Sequence, residues 1–129
     1  MTRIRLLIID PQNDFMDLPD AALAVPGAQA DMGRLATLID TLSGRIDEIV
    51  VTLDSHAGFA IERTPFWVDA GGAAVAAFTT ITAADMQAGR YRPRDASRAR
   101  EVLAYLHALE AGGERSLIVW PVHCVLGTW

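Results

Sequence analysis

Lysine is absent from this chain: all 11 of its basic residues other than histidine are arginine. Chemistry that needs a lysine, as a Schiff-base former or as an amine acid or base, cannot come from these residues. Cysteine occurs once, as Cys124, so no internal disulfide can form and a secreted, disulfide-framed scaffold is excluded. No apolar run approaches the length of a membrane span. The opening Met1-Thr2-Arg3-Ile4-Arg5 places charge where a signal peptide builds its apolar stretch. Basic charge is also scarce, with 11 basic against 16 acidic residues and a net charge of −5, which argues against a nucleic-acid surface. A cytoplasmic protein with neither a membrane nor a nucleic-acid partner is the expectation.

What is present is ordinary for a globular protein. Half of the 129 residues are hydrophobic (51%) and 21% are charged, so disorder is not indicated and one core is expected. No internal repeat or interdomain linker is visible. Ile4-Arg5-Leu6-Leu7-Ile8-Ile9 is a short, nearly continuous apolar run of the kind that fits a strand covered on both faces, as in parallel sheets. From Ala28, the residues Met32, Leu35, Leu38, Ile39 and Leu42 recur at helical spacing, and Gly44 offers a stop. This reads as a crossover helix leading to a second buried strand, Ile49 to Leu53.

Residues 57 to 94 loosen into Ala, Gly and Thr with scattered aromatics, and read as a long excursion, either a lid or a packed surface loop. Five arginines lie between Arg90 and Arg100, interleaved with Asp95, which favours a solvated or subunit-facing surface over a polyanion site. Ser97 is placed to cap a helix with the stripe Val102, Leu103, Tyr105, Leu106 and Leu109, ended by Gly112-Gly113. His107 lies on that helix and reads as structural. A third strand-like run, Leu117 to Trp120, delivers the chain to His123.

The chemistry-bearing residues gather where the apolar runs end. In open α/β sheets, ligands bind beyond the carboxyl ends of the strands, which is where Asp10 and Asp54-Ser55-His56 fall. Side chains alternate along extended backbone, so Asp54 and His56 leave it on the same side. With His123, in the loop Trp120-Pro121-Val122-His123-Cys124, they make a two-histidine, one-carboxylate set that leaves coordination positions open, as a catalytic metal requires. Taken alone, Asp54-Ser55-His56 is equally a turn with a hydrogen-bonded histidine, and His123 a packed loop residue.

Four blocks resemble the isochorismatase-like cysteine hydrolases, and within them the nicotinamidases: Leu7-Ile8-Ile9-Asp10-Pro11-Gln12-Asn13-Asp14-Phe15, Val25-Pro26-Gly27-Ala28, Asp54-Ser55-His56, and Trp120-Pro121-Val122-His123-Cys124-Val125 with Gly127-Thr128. The resemblance implies a three-layer α/β/α sandwich with a parallel sheet, Rossmann-like, of which residues 1–129 form a single hydrolase domain incomplete at its C-terminus. It implies a metal-assisted cysteine amidohydrolase that converts nicotinamide and water to nicotinate and ammonia. By the same resemblance Asp10 is the catalytic base, Phe15 and Trp120 are the aromatic walls that bind the substrate ring, and Asp54, His56 and His123 hold a divalent metal, zinc first, with manganese or iron also possible. The family's lysine and nucleophilic cysteine lie downstream of the segment matched by residues 120 to 128, and Cys124 is not at the nucleophile's position. The expected partners are a small amide and either a second copy of the chain or the missing C-terminal part. Alternatives are another amide or carbamoyl hydrolase of the superfamily, an isochorismatase, or a non-catalytic remnant that binds metal or a partner.

Overall fold

The computed structural model describes residues 3–113 and 115–128. The chain folds into two compact units, Met1–His56 with His123–Trp129, and Ala57–Val122. The first unit is a βαβ arrangement. Its two apolar runs form β1 (Arg5–Ile9) and β2 (Glu48–Thr52). The strands pair in parallel, from Arg5 opposite Glu48 to Ile9 opposite Thr52. Parallel neighbours need a crossover connection, here α1 (Ala28–Leu42), which has the bounds that its apolar spacing and Gly44 predict.

The start of α1 is built from two devices. Gly27 precedes the helix at φ 84°, a left-handed conformation that glycine adopts without steric cost. Asp17 then reaches across the loop, its carboxylate accepting hydrogen bonds from the backbone N–H of Gly27 (3.1 Å) and of Gln29 (2.8 Å). Those N–H groups would otherwise be orphan donors of the first turn. The same bonds hold the Asp17 carboxyl below the usual carboxylate range, the Gln29 N–H contributing most.

Burial in this unit departs from the sequence reading. Leu7 is 57% and Ile9 66% exposed, and Val50, Val51 and Leu53 are also exposed. Among the described residues the parallel sheet has two strands. Two strands with one crossover helix cannot cover both faces, so the apolar run is legible while its burial is not realised. The fold is therefore α/β with a small parallel sheet.

The second unit contains the hydrophobic core. Residues 57 to 94 are not a bare loop: they supply β3 (Trp67–Asp69), β4 (Thr80–Ile81), α2 (Ala83–Gln87) and β5 (Tyr91–Pro93), and α3 (Ala99–Ala111) and β6 (Leu117–Ile118) complete the unit. β3 pairs with β5, and β4 with β6, both antiparallel. The run Leu117 to Trp120 thus contributes a two-residue antiparallel strand and does not extend the parallel sheet. Phe66, Trp67, Ile81, Val102, Leu106 and Val119 are the centre of the packed cluster. Trp67 is fully buried with its indole N–H donated to the Ile61 carbonyl at 2.6 Å, so its one polar atom is satisfied. Asp95, and not Ser97, makes the cap before α3: its carboxylate accepts from the Ser97 backbone N–H at 3.0 Å and from the Ser97 hydroxyl at 2.7 Å. Arg90 and Arg98 pair with Asp85 and Glu101, so part of the arginine-rich stretch is neutralised locally. Among the described residues, no helix is long and apolar enough to cross a membrane.

Candidate metal centre

Asp54 and His56 follow β2 directly, and the turn between them brings Asp54 Oδ2 to 2.7 Å from His56 Nε2. His123 Nε2 lies 3.5 Å from the same carboxylate oxygen, and the two imidazole rings meet edge to face with centroids 4.8 Å apart. One ligand atom from each of the three residues falls within 4.8 Å of the others. Metal–ligand bonds of about 2.0–2.2 Å set donor pairs roughly 3–4 Å apart. The Asp54 contact with His123, 3.5 Å, falls in that range and the one with His56, 2.7 Å, lies just below it, and a donor set of two imidazoles and one carboxylate suits zinc and other first-row ions. Asp54, His56 and His123 are thus a group that could hold one divalent cation. His123 is buried, and Asp54 and His56 are half-buried, so the site is open on one side.

Backbone hydrogen bonds tie the two ligand-bearing segments together. The His56 N–H donates to the Cys124 carbonyl at 2.9 Å, and the Leu126 N–H donates to the His56 carbonyl at 3.0 Å, a parallel bridge between His56 and Val125. Cys124 itself is fully buried and sits at φ 45°. Its thiol is not presented to solvent.

Asp10 ends β1 at φ 50°, a left-handed conformation that aspartate tolerates better than most residues. It is fixed by Thr52 at the matching end of β2, whose hydroxyl donates to Asp10 Oδ1 at 2.8 Å. Asp10 and Phe15 share a cleft of about 530 Å³ with Ile9, Val25, Pro26 and Met32. Phe15 also meets the His123 ring edge to face, with centroids 6.2 Å apart, and so connects the cleft with the histidines. Trp120 belongs to the second unit, where its partly exposed indole packs edge to face on Phe78 at 5.5 Å. His107 is exposed on α3 and contacts Gln87 at 3.4 Å.

Two residues of this site escape a reading of the sequence. Gln12 is 2% exposed, and its side-chain amide is bonded to the main chain of Asp54 in both senses. Asp14 accepts from the Cys124 N–H at 2.6 Å. Both lie in the block Leu7 to Phe15 that carries the family resemblance, but apart from that the signal for either is a polar stretch, Asp10 to Asp14, straight after a buried-type strand.

Comparison with known proteins gives a likeness of fold. No family model and no curated protein matches the sequence. Among solved structures, yeast nicotinamidase Pnc1p superimposes with a TM-score of 0.55 at 24% identity, over 97% of this chain and 45% of that one. The same enzyme bound to the inhibitor nicotinaldehyde gives the same values. This chain thus spans under half the length of the nicotinamidase that it resembles.

Proposed function

We propose that this chain is the metal-holding and ring-binding part of an amidohydrolase of nicotinamidase type. The observation that carries the reading is the convergence of Asp54, His56 and His123, within 4.8 Å of one another, just beyond a parallel β1–β2 pair in a nicotinamidase-like fold. In this reading the three side chains hold a divalent ion, with zinc first and manganese or iron as alternatives. The bound ion would supply a positively charged anchor that orients the substrate. Asp10 is assigned as the general base, Phe15 as one face of the ring site, and Trp120, from the sequence resemblance, as a second ring contact. The substrate class is a small aromatic amide, the product pair a carboxylate and ammonia, and the parent architecture an α/β/α sandwich to which residues 1–129 contribute one domain.

The chain contains no lysine and its one cysteine is buried, and this favours a second reading, in which these residues bind metal, ring or partner polypeptide without turning substrate over. One assay tests the ring site and the nucleophile on which both readings depend. Zinc-loaded protein is titrated with nicotinaldehyde and, separately, assayed for ammonia release from nicotinamide. Binding that weakens in Phe15→Ala, with no release of ammonia, is expected for these residues alone, because a missing nucleophile costs several orders of magnitude in rate. Turnover abolished by Cys124→Ala would make Cys124 the nucleophile. Absence of nicotinaldehyde binding would remove the ring site.

A further inference from the structure

The loop that follows β1 does more than present Asp10. Gln12 is buried to 2% exposure, and its amide makes two complementary bonds to one residue: the Asp54 N–H donates to Gln12 Oε1 at 2.7 Å, and Gln12 Nε2 donates to the Asp54 carbonyl at 2.9 Å. A primary amide paired in this way imitates a neighbouring β-strand at the point where β2 has ended, and so fixes the backbone from which the Asp54 carboxylate projects. Two residues on, Asp14 treats the other ligand segment similarly. Its Oδ2 accepts from the Cys124 N–H at 2.6 Å, and its Oδ1 accepts from the Ala22 N–H at 3.4 Å. The Cys124 bond is short and charge-assisted, the strong class of backbone hydrogen bond. It is made to a residue whose φ of 45° is unfavourable for a side chain with a Cβ, and it helps to hold that conformation directly after His123.

We propose that Gln12 and Asp14 are positioning residues for the cation site: one loop clamps the backbone of two of the three ligands, Asp54 directly and His123 through Cys124. The inference rests on the reading of Asp54, His56 and His123 as a cation site. Neither residue touches the ion. Their effect is on the entropy of assembling the site, since ligands held in place by outer partners need not be ordered when the ion arrives. The clamps are also distinct from general packing, because each is a polar bond to a ligand segment remote in sequence, 42 residues away for Gln12 and 110 for Asp14.

The test is zinc affinity, read by competition with a chromophoric chelator in parent, Gln12→Met, Asp14→Ala and Asp14→Asn. Each is titrated well below the thermal midpoint of its zinc-free form, so that loss of fold does not pass for loss of affinity. Gln12→Met keeps the side-chain length and removes both bonds, and Asp14→Ala removes the acceptor for Cys124. Each should weaken zinc about 10–100-fold, the range for loss of an outer-shell partner. Asp14→Asn retains an oxygen that can accept from the Cys124 N–H, and should recover most of the affinity lost in Asp14→Ala. If Gln12→Met does not fold, the Asp14 pair carries the test alone. A parent that binds zinc, with Gln12→Met or both Asp14 variants equal to it, overturns the positioning roles and leaves the cation site standing. A parent that binds no zinc overturns both.

Discussion

Arg63 shows how unevenly single residues contribute to this chain. The residue is 1% exposed, yet among the described residues Nε and Nη2 have no hydrogen-bond partner. The Glu62 carboxylate stands 3.9 Å from Nη2 and the Glu62 carbonyl 3.4 Å from Nη1, both too long to repay the desolvation of a guanidinium. Arg63→Met, which keeps the length and removes the charge, should therefore be neutral or stabilising by about 1–4 kcal/mol in urea unfolding. A loss of stability would mean that the guanidinium is satisfied by a group outside the described residues. Leu106 is the opposite case. It is fully buried in the cluster with Phe66, Trp67 and Val102, and Leu106→Ala should cost about 2–5 kcal/mol, while Leu7→Ala, at an exposed position, should cost far less. The ratio of the two effects, measured in the same denaturant series, tests where the core sits.

At the scale of elements, α1 depends on a cap that arrives from outside the helix. The folded pKa of Asp17 is depressed by its bonds to Gln29 and Gly27, so its contribution is fully present above the unfolded carboxylate value and is lost as pH falls through the folded one. Asp17→Ala should lower the urea midpoint near neutral pH, and the gap to the parent should narrow as pH falls below the ordinary carboxylate range and the parent carboxylate is protonated in its turn. A gap that stays constant with pH would remove Asp17 as an ionised cap. Elements with a long apolar period were legible in the sequence: α1 from Met32, Leu35, Ile39 and Leu42, α3 from Val102 and Leu106, β1 and β2 from their runs. The strands between residues 57 and 94 were not, because β3, β4 and β5 are two or three residues long and too short to show alternation. Asp54, His56 and His123 stand out by residue type and spacing. Gln12 and Asp14 stand out less, since their bonds run to backbone far along the chain and residue type and spacing do not reveal them.

At the scale of the molecule, the two units differ in how well they are filled. The packed cluster belongs wholly to the second, while the first exposes Leu7, Ile9, Val50 and Val51 on a two-stranded parallel sheet whose residues favour burial on both faces. Such a sheet invites pairing with another strand, supplied by a second copy of the chain or by further α/β polypeptide. These residues alone should associate as concentration rises, and Ile9→Lys should shift sedimentation towards the monomer. Concentration-independent monomers in the parent would show that the exposed strands are tolerated as they stand. Whether Asp54, His56 and His123 share a cation is decided most directly by metal content. Protein purified without chelator, then incubated with zinc and desalted, is analysed for bound metal in parent, His56→Ala, His123→Ala and, as a control on an exposed helix, His107→Ala. One equivalent of zinc is predicted in the parent and in His107→Ala, with its loss in the other two; equal metal in all four proteins would contradict the shared cation.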